Sequence, residues 1–587
     1  MSKIRTLLVV IAALFGVGVM LADEKPAETK AAKKARQEAR LKKLKAAEKA
    51  AAEAKLEAEQ AKKAAEAKAN ADTAKTDDKP KPKAESSTPK VAPLSSFDFH
   101  PLAKKIDEEI NKRLAAEKIP ASPRADDAEF IRRLYLDLTG VIPTAAKAAK
   151  FIDNKEPDKR GKLIDEILTS PAFGKHQADI WDDLLFQRTT DNRAVKKEPL
   201  TQWLEKQFND NVTWDKMVSE ILTSTGTQEE NGASTFFLAT LSADKMVDAT
   251  SKLFMGVKLE CTQCHNHPFT GWKQNEYWGM AAFFMKVRVQ GNTKNAKNGT
   301  TPGVAEGGKG KQRNLPISAK VVPAKFFQGE EPKVDANEPL RPVLAKWLAS
   351  PDNKFFSRAW ANRVWGQLFG VGIVNPIDDM HDERVPSHPE LLQEMAKQFV
   401  ESGFDVRFLY RAICNSETYQ RTSKPAAGNE KDSTLFSHMN IKALTPEQLY
   451  DSLTAVLGTP GNDARAKQKG AAAANAKRGP VGPRESFVAF FETGDNSKAT
   501  EYDAGIPQAL RLMNNPFTAR NSSNVARALT KGLSGSQAIE RLYLNAFARR
   551  PTSEEMKKMT AYVANNADGY GDILWALLNS SEFALNH

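Results

Sequence analysis

From residue 97 onward, apolar residues recur at spacings of three and four, which is the period of an amphipathic α-helix. The pattern is clearest at 163–168 and 217–222, inside a stretch from 130 to 222 that is helical in pattern throughout. A further helix is predicted at 243–260, a buried helical stretch at 278–284, and a second helical body from about residue 340. The sequence therefore predicts a mainly α fold.

Three helix starts carry the capping-box pattern, in which a hydroxyl side chain is followed three residues later by an acid or amide. The hydroxyl can accept a hydrogen bond from a first-turn amide while the second side chain reaches back. The pattern occurs at Ser387 to Glu390, Thr445 to Gln448 and Thr552 to Glu555. Each predicts that a helix begins there.

The segment 288–338 interrupts the helical pattern with a stretch rich in glycine, asparagine and lysine. Short β-favouring runs at 287–289 and 320–324 flank it, so we expect strands joined by a mobile loop. This small β- and loop-rich segment separates two predicted helical domains, 97–310 and 311–587. Within the second domain, the Ala/Gly/Lys-rich residues 459–483 predict a flexible insertion.

The N-terminus has the layout of a secretory signal peptide over residues 1–22. Lys3 and Arg5 precede an apolar run at 7–21, and Ala22 is the expected cleavage position. We expect export to the periplasm, the cell surface or the medium, with membrane contact only if this segment stays uncleaved as an anchor. Residues 23–96 follow as a low-complexity Ala/Lys/Glu tether, either disordered or a single charged helix, and a proline-rich linker.

The net charge of +12 is unevenly distributed along the chain. Residues 1–92 hold 21 of the 85 Lys and Arg residues and 13 of the 73 Asp and Glu residues. Residues 93–587 therefore hold 64 basic and 60 acidic residues. The folded part is thus nearly neutral, which argues against a nucleic-acid partner. With only three cysteines the fold depends on an apolar core, and we expect Cys414 to be buried in it.

The most specific chemical feature is the segment Cys261-Thr-Gln-Cys264-His265-Asn-His267-Pro268. Cys-x-x-Cys-His is the c-type haem attachment pattern, in which two thiols bond the haem vinyl groups and the adjacent imidazole binds the iron. Cys261, Cys264 and His265 are therefore the predicted haem-binding residues. The candidates for a second axial ligand are Met255, Met280 and Met285.

Two other interpretations of this segment remain open. Cys261, Cys264, His265 and His267 together offer the thiolate and imidazole ligands that zinc or iron accepts. Because neighbouring ligands close a tetrahedron poorly, a more distant ligand would be needed, and the candidates are His176, His381 and His388. Alternatively, Cys261 and Cys264 form a disulfide that stiffens a tight turn.

Two further groups of residues invite a functional interpretation. The acidic run from Asp378 to Glu383 precedes the predicted cap at Ser387, where negative charge favours a helix start; cation binding and hydrolytic catalysis are the alternatives. Three aromatic residues after the cysteine segment are expected either to pack in the interior or to stack on a sugar. They are Trp272, Tyr277 and Trp278. No nucleophile-elbow, phosphate-loop or His-Glu-x-x-His motif occurs, so no catalytic residue is predicted.

Several phrases of the sequence, in a fixed order, resemble a known family. They are Arg132-Arg-Leu-Tyr-Leu-Asp137-Leu-Thr-Gly140, the cysteine segment with Phe269, Trp272 and 277–284, Trp347-Leu-Ala-Ser350-Pro-Asp352-Asn353, Asn362-Arg363-Val-Trp365, Phe369-Gly370 and Ser387-His388-Pro389-Glu390. The resemblance covers about 97–587. The chain is similar to the paired domains of unknown function in the secreted cytochrome-like paralogue family of planctomycete bacteria, a PSCyt-type domain followed by a PSD-type domain.

The resemblance implies export and a two-domain body, and it supplies no activity. Many relatives carry an additional N-terminal cytochrome-type domain, whose place the Ala/Lys/Glu tether takes here. We expect an exported haem or metal protein that serves redox chemistry or electron transfer. The alternative is a non-catalytic binding or scaffold protein for a polysaccharide or a partner enzyme, with structural zinc or a disulfide at the cysteine segment. Relatives encoded beside sulfatase-like proteins make an exported sulfatase-like partner part of that alternative.

Overall fold

Helices dominate the computed structural model, which describes residues 91–186, 195–290, 302–307, 315–335, 338–458, 482–491, 516–566 and 568–587. The predicted signal peptide, nearly all of the predicted tether and most of the predicted insertion at 459–483 lie outside these residues. The described residues belong to one compact unit that spans 87–587. None of the helices in this part of the chain is long and apolar enough to cross a membrane.

The region before residue 290 contains ten helices within its described residues, as the apolar spacing predicts. They are α1 (His100–Glu117), α2 (Asp127–Thr139), α3 (Ala145–Asp153), α4 (Lys159–Leu168), α5 (Pro171–Phe186), α6 (Glu198–Asn209), α7 (Trp214–Thr223), α8 (Thr235–Thr240), α9 (Ala243–Met255) and α10 (Gln274–Ala282). Two short 3-10 turns, Gly232–Ser234 and Glu260–Gln263, lie among them. The mainly α fold class is confirmed.

The described part of the chain after residue 338 is built from helices as well. They are α11 (Leu340–Leu348), α12 (Lys354–Phe369), α13 (Pro389–Glu401), α14 (Val406–Asn415), α15 (Pro446–Leu457), α16 (Pro483–Phe491), α17 (Pro516–Thr530), α18 (Gly535–Phe547), α19 (Ser553–Ala564), α20 (Gly569–Leu578) and α21 (Ser581–Ala584). The capping boxes predicted at Thr445 and Thr552 are both present, at the starts of α15 and α19.

Two small antiparallel sheets accompany the helices. The first has the order β1-β3-β2 and joins Gly226–Thr227, Gly303–Glu306 and Val287–Gln290. In its register Val304 lies opposite both Gly226 and Val289. The second sheet pairs β4 (Lys442–Ala443) with β5 (Leu585–Asn586). The strand predicted at 287–289 is therefore confirmed, within the three-stranded sheet.

The main apolar core takes side chains from both sides of the predicted domain boundary. Its centre is a tryptophan cluster in which the ring of Trp214 lies 4.5 Å from Trp181 and 4.3 Å from Trp360. These residues come from α7, α5 and α12, so helices of both regions pack on one another. A second core joins α15, α17, α18 and α20 and includes Leu136 of α2. Burial of large aromatic side chains makes such contacts a major source of stability.

Three local predictions were wrong. The helix from Ala243 ends at Met255 instead of reaching 260, because Gly256 has the left-handed conformation (φ 66°) that terminates helices. Residues 320–324 form no strand, since Pro323 has no amide hydrogen for a ladder and the Lys325 amide donates to Gly279 O at 3.1 Å. Helix α13 is not capped by Ser387.

The failure at Ser387 has a local physical cause. Its amide and its hydroxyl both donate to the carbonyl oxygen of Ile373, at 2.9 and 3.3 Å. His388 is the N-cap residue, and no side chain caps the helix. Pro389 occupies the first helical position and disfavours helical geometry in the residue before it, so the hydroxyl lies one residue too early.

Candidate functional site

The cysteine segment lies on the surface between α9 and α10. Glu260–Gln263 form a 3-10 turn whose middle is anchored by Thr262, a buried residue that donates through its hydroxyl to Leu259 O at 2.6 Å. Cys261 and Cys264 are free and exposed. Side chains three residues apart in a 3-10 turn lie on the same face. Cys261 in the turn and Cys264, which directly follows it, thus provide two solvent-accessible thiols three residues apart.

Helix α10 holds this turn from its inner side. The side-chain nitrogen Nε2 of Gln274 donates to the carbonyl oxygens of Gln263 at 3.0 Å and Cys264 at 2.9 Å. Trp278 Nε1 donates to the carbonyl oxygen of Gln263 at 3.1 Å. These bonds fix the backbone that carries both thiols. The Trp278 side chain lies in the protein interior.

The three aromatic residues that follow the cysteines are buried. Trp272 is 5% exposed, and Tyr277 and Trp278 are fully buried. The Tyr277 hydroxyl donates to Asp248 Oδ1 at 2.9 Å. The prediction of interior packing is confirmed, and the alternative that these rings stack on a sugar is wrong because their faces are not accessible.

His265 is exposed, and its hydrogen bonding defines its tautomer. Nδ1 lies 2.7 Å from the carbonyl oxygen of Asn266. Since a carbonyl oxygen only accepts hydrogen bonds, Nδ1 must carry the ring proton. The neutral imidazole then has its lone pair on Nε2, the form in which histidine binds metals while its other nitrogen is held by a carbonyl.

His267 has the opposite tautomer. Its Nδ1 accepts hydrogen bonds from the backbone amides of Phe269 at 3.3 Å and Thr270 at 3.1 Å. The ring proton of the neutral imidazole is therefore on Nε2, and both nitrogens lack a free lone pair. Burial, and secondarily the neighbouring His381, lower the pKa of His267 and favour this neutral form. His267 thus stabilises the turn through the amides of Phe269 and Thr270.

The acidic run at 378–383 lies beside the cysteine segment and brings His381, one of the three distant candidate ligands, close to His267. The ring of His381 is 6.3 Å from that of His267 and 6.1 Å from Trp272. The amide of Met380 donates to Gly256 O at 2.8 Å, at the C-terminal end of α9. The spacing of residues in the sequence does not show that His267 and His381 lie close together, because 114 positions separate them.

Two of the four acidic side chains of this run are paired with arginines. Asp378 bonds Arg363, and Asp379 Oδ2 is 2.6 Å from Arg384 Nη2. These ion pairs favour the structural interpretation of the run over cation binding or catalysis.

The other candidate ligands are placed elsewhere or buried. Met255 and Met280 are fully buried in the main core, while Met285 is half-buried. His388 is 3% exposed and its Nδ1 lies 3.0 Å from Ser387 Oγ, and His176 packs against Gly140. Within the described ranges, no three His, Cys, Asp or Glu side chains are grouped so that they could hold a metal ion.

Cys414 is buried, as predicted, at the end of α14. Burial raises the pKa of its thiol well above the usual value. A buried thiol of this kind is unreactive, in contrast to the exposed pair.

Apolar side chains are exposed around the thiols. Phe269 is 76% exposed, and Ile317 and Val321 are fully exposed. Ile317 precedes Ser318, whose hydroxyl oxygen is 3.7 Å from Cys264 Sγ. Such exposed apolar residues cost free energy unless something covers them.

Two family models match the chain, in consecutive order. PSCyt2, a protein of unknown function (DUF1549), matches residues 105–289, and PSD1, a protein of unknown function (DUF1553), matches residues 340–563. The cysteine segment lies within the first match and the acidic run within the second. No curated protein and no solved structure shows significant similarity to the chain.

Proposed function

Because the chain belongs to the proteins in which a PSCyt2 domain precedes a PSD1 domain, both of unknown function, we propose a role for its cysteine segment. It attaches a c-type haem through Cys261 and Cys264, with His265 as an axial ligand of the iron. The protein then serves electron transfer outside the cytoplasm.

The observation that carries this proposal is the hydrogen bond from His265 Nδ1 to Asn266 O at 2.7 Å. It leaves Nε2 with a free lone pair directly after two exposed thiols, which is the donor set that c-type haem attachment needs. Each thiol adds its sulfur and its hydrogen across one vinyl double bond, so attachment needs no oxidant and has no leaving group. The bound haem would supply one-electron chemistry.

The other residues of the segment have supporting roles in this proposal. Gln274 and Trp278 donate to the carbonyl oxygens of Gln263 and Cys264 and so hold the backbone that carries the two thiols. Exposed Phe269 and Ile317 offer apolar contacts to a flat macrocycle attached at Cys264. Export fits as well, because covalent haem attachment takes place outside the cytoplasm and residues 1–22 resemble a secretory signal.

The competing interpretation is a non-catalytic scaffold with structural zinc. The ligand set predicted for it includes His267, and both ring nitrogens of that residue are committed, Nδ1 to two backbone amides and Nε2 to the proton. The haem proposal requires only His265, whose Nε2 is available. We therefore favour haem over zinc.

The proposal is tested by producing the full chain with c-type haem maturation machinery in a bacterial host. We expect a Soret band that persists after denaturation and acid extraction, which shows covalent haem. The variants Cys261→Ala and Cys264→Ala should each lose stable double attachment, and His265→Ala should change the spectrum of the bound iron. Cys414→Ala is the matched control, because its buried thiol has no role in attachment.

A colourless protein would overturn the proposal if the same host matures a known c-type cytochrome. Stoichiometric zinc that depends on Cys261 and Cys264 would establish the structural-zinc alternative. Cysteines joined to each other, with neither haem nor zinc, would establish the disulfide alternative.

A further inference from the structure

A cavity of about 130 Å³ lies between helices of the two matched regions, and the cysteine segment does not line it. Its walls come from α2 and α5 on one side and from α12, β4 and α15 on the other. For scale, an apolar protein cavity of about 150 Å³ holds benzene. The space is thus suited to a single six-membered ring.

Three acidic residues of the cavity, Asp137, Asp179 and Asp451, are paired with basic neighbours. Asp137 accepts hydrogen bonds from Lys442 Nζ at 2.6 Å and from Asn586 Nδ2 at 2.7 Å. Asp179 and Asp451 share the guanidinium of Arg484, at 3.1 and 2.8 Å. Charge-paired carboxylates retain lone pairs that accept from hydroxyl groups, while they give little net attraction to a cation.

Two buried atoms of the lining, Asn586 Oδ1 and Arg363 Nε, have no hydrogen-bond partner among the described residues, and the same wall contains the buried His176. It is 7% exposed and makes no hydrogen bond with the described residues, and its ring lies against Gly140, where a Cβ would collide with Nδ1. Burial lowers the pKa of His176 to about 4, so the imidazole is neutral at physiological pH. It then presents one N–H donor and one acceptor to the cavity, and no described residue forms a hydrogen bond with either.

Apolar side chains complete the wall. Ile180, Leu184 and Ile377 line the same space as the polar groups. Alternating hydroxyl groups and C–H faces on one ring would match a wall that alternates hydrogen-bonding and apolar groups. No aromatic residue lines this cavity among the described residues.

From these contacts we infer that the cavity binds a neutral sugar ring, either a monosaccharide or the terminal residue of a glycan, with His176 hydrogen-bonded to its hydroxyl groups. The carboxylates of Asp179 and Asp451 accept from further hydroxyls, and Ile180 contacts the carbon face. This inference does not depend on the proposed haem. It gives the protein a carbohydrate-binding function at a second, separate site.

The test is a titration of the full-length protein, labelled on its histidines, with neutral monosaccharides, with a uronic acid and with putrescine. The chain has eight histidines, so the ring signal of His176 can be assigned by its loss in His176→Leu. We expect neutral sugars to shift this signal at millimolar concentration. By calorimetry, His176→Leu should weaken sugar binding about tenfold, the equivalent of one lost hydrogen bond of about 1.4 kcal/mol.

A matched control is His438→Leu, which removes another histidine with a buried, unpaired Nε2 outside the cavity and should leave sugar affinity unchanged. If His176→Leu does not fold, Leu184→Trp fills the cavity instead and should abolish binding. The inference is overturned if no neutral sugar shifts the His176 signal, if binding survives both cavity variants, or if putrescine binds and sugars do not. Haem attachment is a separate readout, so either proposal can fail alone.

Discussion

The ammonium group of Lys442 lies 2.6 Å from Asp137 Oδ1, and this ion pair joins the two regions that the family models match. Lys442 also donates to the carbonyl oxygens of Gln367 at 3.1 Å and Leu368 at 2.6 Å. The Asp137 side chain is 3% exposed. Removal of the lysine would leave a buried carboxylate without its counter-charge.

We therefore expect Lys442→Met to lower the free energy of unfolding by about 3–5 kcal/mol, the usual result of breaking a buried ion pair on one side. Urea denaturation followed by circular dichroism measures this change. Lys424→Met is the control, because Lys424 is exposed and its side chain has no ion pair in the described structure. A loss below about 1 kcal/mol for Lys442→Met would show that this pair behaves like a surface salt bridge.

Stability should fall as the pH falls from about 6.5 to about 4, because of buried neutral histidines. Burial lowers the pKa of His388 to about 4, and His176 shows the same shift. Below pH 6.5 the unfolded chain binds protons at these rings and the folded chain does not. Each histidine therefore lowers the free energy of unfolding by about 1.4 kcal/mol for every pH unit that the pH falls within that window. Above pH 6.5 neither histidine makes the free energy of unfolding depend on pH.

The check is a series of unfolding curves between pH 4 and 7. His388→Gln should reduce the slope by about 1.4 kcal/mol per pH unit, the contribution of one buried histidine. An unaltered slope in His388→Gln would mean that His388 is protonated in the folded protein.

Thiol reactivity should divide the cysteines into two classes. In reduced, haem-free protein, Cys261 and Cys264 should react quickly with a thiol reagent because both are exposed, and Cys414 should react only after denaturation. Titration of the protein with the thiol reagent, with and without denaturant, gives the number of cysteines that react fast or slowly. Mass spectrometry then identifies which cysteines are modified. Fast reaction of all three would indicate that α14 opens readily, and slow reaction of Cys264 would indicate that the loop around Ser318 covers it.

Local signals in the sequence predicted local structure well, and they failed where a distant backbone group intervened. The Thr445 and Thr552 capping boxes form because nothing else competes for their hydroxyls. Ser387 has the same pattern, but its hydroxyl and amide are taken by Ile373, which lies 14 positions earlier. The capping box at Ser534 with Gln537 was missed, although its sequence signal is equally plain.

The same distinction applies to the candidate site. The spacing of Cys261, Cys264 and His265 is local and could be read directly. The roles of the two histidines could not, because the tautomers depend on which backbone groups the fold brings to each Nδ1. The approach of His381 depends on the packing of the segment after α12 against the end of α9, which sequence spacing does not encode.

The tautomer of His267 leads to a prediction that separates the haem and zinc interpretations. An asparagine side chain can place its oxygen near the position of Nδ1 and accept from the amides of Phe269 and Thr270, but it is a poor zinc ligand. His267→Asn should therefore keep the turn and retain full haem attachment. His267→Leu leaves both amides without an acceptor and should cost about 1 kcal/mol, seen as faster hydrogen exchange at these amides. If His267→Asn instead loses a bound metal while Cys414→Ala keeps it, His267 is a ligand, and the structural-zinc interpretation replaces the haem proposal.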